Sequence, residues 1–152
     1  MRIIFVALVA AVAAGSAVAA FRSPPAPVRV VLGDAPAYGT HGKLLGLTRI
    51  TIPPGAVIPK HHHPGTQVAT VLAGTLRYHV YAGTVPVYRE VAGSPALAFR
   101  ITPGHTGTLR AGDTLIEQPS DVHRAANTGT KTVRIMLATL FPAGAPPSIP
   151  VK

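Results

Sequence analysis

The stretch PPGAVIPKHHHPGTQVATVLAG, Pro53 to Gly74, sets three consecutive histidines, His61 to His63, four residues ahead of Gln67. On an extended strand successive side chains point to opposite faces, so His61 and His63 emerge together and His62 faces away. Their Cβ atoms then lie roughly 6.5–7 Å apart along the strand, and two imidazoles at that spacing can converge on one ion about 2.0–2.1 Å from each nitrogen. Gln67 has the same parity across the Pro64-Gly65 turn, and its amide oxygen is a further candidate ligand. Taken alone, the triplet reads more readily as a solvated polar turn.

A second segment, GDTLIEQPSDVHRAANTG from Gly112 to Gly129, changes that balance by placing His123 in an alternating run near Asn127. It can supply a third nitrogen from elsewhere in the fold. The chain has no cysteine, which excludes disulfides, thiolate nucleophiles and cysteine zinc sites. Any metal must be held by histidine, carboxylate or amide groups.

From Val28 onward, short apolar or alternating runs are punctuated by Gly and Pro, with no trustworthy helical period. The expected strands are 28–32, 45–52, 67–72, 75–81, 85–91, 96–101, 114–117, 122–126 and 133–140. This pattern, with turns such as LAGT and RAGDT, points to an all-β sandwich or barrel. The 152 residues suit one domain.

The N-terminus has one Arg, an apolar run and the Ala17-Val18-Ala19 triplet, which is the layout of a secretory signal peptide cut after Ala19 or Ala20. The expected organisation is a signal peptide at 1–20, a linker at 21–27, a barrel at 28–141 and an extended Pro-rich tail at 142–152, lying on the surface or across a neighbouring subunit. Removing Arg2 leaves 13 basic and five acidic residues. The basic residues are scattered singly, so nucleic acid is not an expected partner; small anions are. The exported chain is expected to be periplasmic or secreted, without stable membrane insertion after cleavage.

The two segments together resemble the cupin motifs. Gly55, His61, His63, Gln67 and Gly74 keep the spacing G-x5-H-x-H-x3,4-E-x6-G, and Gly112, His123 and Asn127 keep that of the second motif, G-x5-P-x-G-x2-H-x3-N. Gln67 replaces the motif's Glu, Pro119 lies one place late, and the turn Ser120-Asp121 lacks the usual glycine. The resemblance implies a single double-stranded β-helix, or jelly-roll barrel, holding one divalent transition metal, whether iron, manganese, nickel, copper or zinc. It assigns His61, His63, Gln67 and His123 as ligands. With a neutral amide in place of a carboxylate, such a site would hold its ion less tightly and attract anions more strongly. The resemblance also implies a homodimer and, most nearly, a quercetin-dioxygenase-type enzyme acting on a small anionic or enolisable substrate. A metal-dependent isomerase or lyase, or a module that binds a metal or small ligand without turnover, uses the same parts.

His79 and Glu117 are further candidates for the pocket. His79 shares the parity of Arg77 and Tyr81, against Leu76, Tyr78 and Val80, and whichever set faces inward lines the barrel. Glu117 is a candidate base, although a rim salt bridge with an arginine is its expected role. His41 and His105 are expected in exposed turns.

Overall fold

The computed structural model describes residues 25–152; the expected signal peptide and residues 21–24 of the linker lie outside the described residues. The described chain is all-β. A seven-stranded antiparallel sheet runs β1 (Val28–Pro36), β2 (Lys43–Ile52), β11 (Val133–Pro142), β4 (Thr66–Ala73), β9 (Thr114–Glu117), β6 (Val85–Val91) and β7 (Ser94–Ile101). A five-stranded sheet runs β12 (Ile149–Pro150), β3 (Val57–His62), β10 (Val122–Ala126), β5 (Thr75–Ala82) and β8 (Thr106–Arg110).

Both sheets place alternate residues in one core. Ile52, Val71, Val87, Leu115 and Val133 come from the larger sheet, and Leu76, Tyr78, Val80 and Leu109 from the smaller. The period-two burial of β5 and β11 is the signature of strands with one wet and one dry face. Removing this apolar area from water is the main force holding the two sheets together.

All nine expected runs are strands, with ends moved by a few residues. Strands β3, β8 and β12 were not among them. Strand β3 contains Pro59, which has no N–H to give a ladder, and the chain accommodates it with a bulge: Ile58 pairs with Ala125 but His61 with His123. The extra residue on β3 lets both Ile58 and His61 turn inward, which strict alternation over three residues would forbid.

The motif residues Gly74 and Asn127 hold the frame. Gly74, at the turn between β4 and β5, has φ of +77°, and a Cβ there would meet the Thr132 carbonyl oxygen at 2.8 Å. Asn127 is buried; its amide donates to the Ile52 carbonyl at 2.8 Å and the Lys131 carbonyl at 2.9 Å, and its oxygen accepts from Gly129 N at 3.0 Å. The Pro-rich tail is extended and returns to its own chain. Ile149 and Pro150 pair with His62 and His61, and Val151 N donates to Lys60 O at 3.2 Å.

Candidate metal centre

His61 on β3 and His123 on β10 face each other across one antiparallel pair of the smaller sheet, which puts their Cβ atoms about 4.5–5.5 Å apart. Gln67 on β4 and Glu117 on β9 are the corresponding pair on the larger sheet. His63 lies in the turn that carries the chain from one sheet to the other. Five polar side chains therefore meet inside the sandwich, and all five are buried.

The three imidazoles have a defined tautomer. Each Nδ1 sits against a backbone carbonyl: His61 on Pro59 O at 2.7 Å, His63 on Pro147 O at 2.8 Å, and His123 on Asp121 O at 3.1 Å. A carbonyl can only accept, so each Nδ1 carries the proton and each Nε2 keeps its lone pair. Ring stacking fixes orientation as well, with Tyr78 on His123 at 4.8 Å and Phe141 on His63 at 5.8 Å between centroids.

Burial lowers the pKa of all three histidines below the usual value. The Glu117 carboxylate opposes this at His63 and His123, and the hydrogen bond to Pro59 opposes it at His61, without reversing it. Glu117 is the complementary case. Burial alone would raise it, but His123 and His63, with hydrogen bonds from Tyr78 and Gln67, hold it below the ordinary carboxylate range.

His61, His63 and His123 could hold one metal ion. Their ligand nitrogens lie within 4.8 Å of one another, hence within about 2.8 Å of a common point, and an inward movement of about 0.7 Å reaches a bonding distance of about 2.1 Å. The donor set fits a cation on a second count. The Gln67 Oε1 atom is buried without a partner, an arrangement that costs free energy unless something electropositive meets it. Outer-shell carbonyls on each Nδ1 are the usual companions of metal-binding histidines.

Gln67 is in the cluster, its Nε2 3.0 Å from His63 Nε2 and donating to Glu117 Oε2. His62 points away, to Pro119 O at 3.1 Å. His79 does not line the barrel: Leu76, Tyr78 and Val80 take the inner face of β5, because that apolar set gains more from burial, and His79 bonds Thr106 on the outer face at 2.8 Å. His41 and His105 are exposed. Glu117 is not at the rim and, among the described residues, pairs with no arginine; it lies 3.5 Å from His63 Nε2 and 3.4 Å from His123 Nε2. Its inward direction follows from alternation with Leu115, a signal already present in Thr114–Glu117 but carried by only four residues. Tyr78, which donates to Glu117 Oε1, was not foreseen in this role.

Two antiparallel sheets closing over a histidine cluster built from two spaced motifs form a double-stranded β-helix, and residues 48–89 match the cupin domain family, Cupin 2. The chain belongs to the cupin superfamily. Among solved structures, this cupin is similar to an uncharacterized conserved protein with a double-stranded β-helix domain from Klebsiella pneumoniae, at 25% identity and a TM-score of 0.52, over 86% of this chain and 90% of that one. It is similar in fold to a cupin 2 domain-containing protein from Halorhodospira halophila, at 15% identity and a TM-score of 0.54, over 87% and 75% of the two chains. The DMSP lyase DddQ from Ruegeria pomeroyi is likewise similar in fold, at 16% identity and a TM-score of 0.54, over 80% of this chain and 50% of that one. No curated protein matches the sequence.

Two outcomes follow from this cupin site. Replacing His61, His63 or His123 by Ala should weaken metal binding by more than the roughly 10- to 100-fold that loss of an outer-shell partner costs, whereas His62→Ala should leave metal per chain unchanged. Elemental analysis of the four variants checks the contrast, and equal losses at 62 and 63 would refute the site.

The second concerns pH. Because the three folded-state histidine pKa values lie below the unfolded value of about 6.5, the unfolded chain binds more protons as pH falls through that value. Stability of chelator-treated protein should then drop on acidification, by at most about 1.4 kcal/mol per histidine per pH unit, and level off once the folded-state groups also titrate. Thermal midpoints between pH 7.5 and 5 read this. His61→Ala should show a shallower slope, and a midpoint that rises on acidification would contradict the burial of neutral rings.

Proposed function

We propose that this cupin is an exported, mononuclear metal-dependent enzyme, dioxygenase-like, acting on a small anionic or enolisable substrate. The observation that carries the reading is the convergence of three imidazole lone pairs on the wall of a cavity of about 230 Å³. Apolar residues such as Ile50, Ile58, Leu115, Ile135 and Leu137 make up most of the remaining wall. That volume is below the ~300–1,000 Å³ typical of drug-sized ligands, which favours small enediols over flavonols.

A divalent ion held by the histidines would supply Lewis-acid stabilisation of developing enolate charge and, if redox-active, a route to dioxygen. The apolar wall excludes water and strengthens every charge interaction inside. Arg29 also lines the cavity. Burial lowers its pKa, and among the described residues it makes no salt bridge. Its guanidinium is thereby free to receive a carboxylate or enolate oxygen.

One observation favours the alternative of a non-catalytic binding module. Among the described residues, every titratable side chain lining the cavity apart from Arg29 is already engaged with its neighbours and none is a free general base. Oxygen uptake by protein loaded in turn with iron, manganese, nickel, copper or zinc, offered small enediols and flavonols, separates the readings. Metal-dependent uptake with an enediol, lost in His123→Ala, is expected. Full metal loading with no uptake would replace the dioxygenase reading by a lyase, an isomerase or a binding module.

We further propose that the exported form begins at Ala20 or Phe21 and is a homodimer. Support for the dimer comes from β1, an edge strand that exposes Val28 (55%), Val31 (58%) and Leu32 (47%), an edge that proteins normally cover. Intact mass and light scattering on the exported fraction check both, and a full-length or monomeric species at micromolar concentration would contradict them.

A further inference from the structure

We infer that Glu117, rather than Gln67, is the charged ligand of the metal centre, and that Gln67 is a positioning residue for it. This rests on the metal reading above. The carboxylate expected on β4 stands instead on the adjacent strand β9, at the residue that pairs with Gln67 in register. Directly opposite residues of an antiparallel pair reach the same point in space, so moving the acid one strand across the sheet costs the site little in geometry.

The contacts of Glu117 require a cation. Its two oxygens lie 3.5 Å from His63 Nε2 and 3.4 Å from His123 Nε2. Both nitrogens are lone-pair atoms, since their rings are protonated at Nδ1 toward Pro147 O and Asp121 O. At His123 two acceptors therefore face each other with no proton to share, while at His63 the Gln67 amide, 3.0 Å from Nε2 and donating to Glu117 Oε2, reaches both. Ligands about 2.0–2.1 Å from one tetrahedral ion stand about 3.3–3.5 Å from each other, which is the spacing observed. A proton would bring such atoms closer, to about 2.7–3.0 Å.

Apart from His63 and His123, whose rings are neutral in the tautomer above, Glu117 has no source of positive charge among the described residues. Its partners are the Tyr78 hydroxyl and the Gln67 amide, both neutral, and among the described residues no Lys or Arg pairs with it. A carboxylate this deeply buried, at 2% exposure, is tolerated only with a compensating charge or a metal. The nitrogen side of the amide at position 67 is then explained by its neighbour; its unpartnered oxygen is not. A donor there satisfies the second oxygen of Glu117, where a second carboxylate would oppose it at hydrogen-bonding distance.

The test is Zn²⁺ affinity by chelator competition, with the visible spectrum of the Co²⁺-loaded protein, in Glu117→Gln, Gln67→Ala, the exchange Gln67→Glu/Glu117→Gln, and His123→Ala. Glu117→Gln should bind Zn²⁺ at least 10- to 100-fold more weakly and alter the Co²⁺ spectrum. Gln67→Ala should lose less and keep the wild-type Co²⁺ band positions. The exchange should recover most of the affinity lost in Glu117→Gln, which also shows that the single variant fails in charge and not in folding. Unchanged affinity in Glu117→Gln beside a large loss in Gln67→Ala would overturn the assignment and restore Gln67 as ligand. Failure of wild type and His123→Ala alike to bind either ion would instead overturn the metal reading beneath it.

Discussion

Three backbone carbonyls accepting from three imidazole Nδ1–H groups set the chemistry of this protein. Without them each ring could present either nitrogen, and the cluster would be a set of interchangeable polar groups. With them, all three Nε2 lone pairs are committed to one place. The carbonyls come from the irregular parts of the fold: Pro59 from the bulge in β3, Asp121 from the turn before β10, and Pro147 from the C-terminal tail. Regular ladder carbonyls are already occupied by strand pairing, so bulges, turns and tails are where free acceptors can be found. The Asp121 side chain holds its own turn in place by accepting from Gln118 N at 2.7 Å and Thr84 N at 3.1 Å.

The same constraint determines what the interior can tolerate electrically. Burial keeps the rings neutral, so a carboxylate brought among them finds lone pairs instead of protons. An apolar cavity wall makes that mismatch more costly, because the attraction or repulsion of each charge grows as water is removed. A site with these features is out of balance unless an ion sits in it, and the balance is local to Gln67, Tyr78 and Glu117. The Arg89–Asp113 pair, at 2.5 Å, does not line this cavity and contributes nothing to the centre.

Much of this was legible in the sequence because it depends on periodicity and spacing. Alternation located nine strands, and the separations Gly55 to Gly74 and Gly112 to Asn127 brought His61, His63 and His123 together, since those separations fix strand and turn lengths. What escaped depends on pairing between distant segments. Glu117 ends a four-residue strand, in which alternation with Leu115 is a weak signal, and the register against Gln67 places it in the centre. His79 was undecided until the fold chose between two faces of β5. Strand β3 was masked by Pro59, the residue whose bulge aims His61 inward. The tail gave no periodic signal, yet it supplies the carbonyl that orients His63.

Charge distribution links the centre to its surroundings. The chain carries five acidic residues against 14 basic ones, and Asp113, Glu117 and Asp121 are all buried, at no more than 2% exposure. Only Asp34 and Glu90 remain on the surface, so the potential that a diffusing solute meets is more positive than the net charge of +9 suggests. The acids are spent inside, one in an ion pair, one in a turn and one at the histidines. Such a field raises the local concentration of anions and their rate of encounter at low salt, and fades beyond a Debye length of about 8–10 Å at physiological ionic strength. It is indiscriminate by itself. Selection falls to the cavity, where Arg29 supplies a positive charge on the wall and the histidine cluster offers the interior position at which an anionic oxygen can be held.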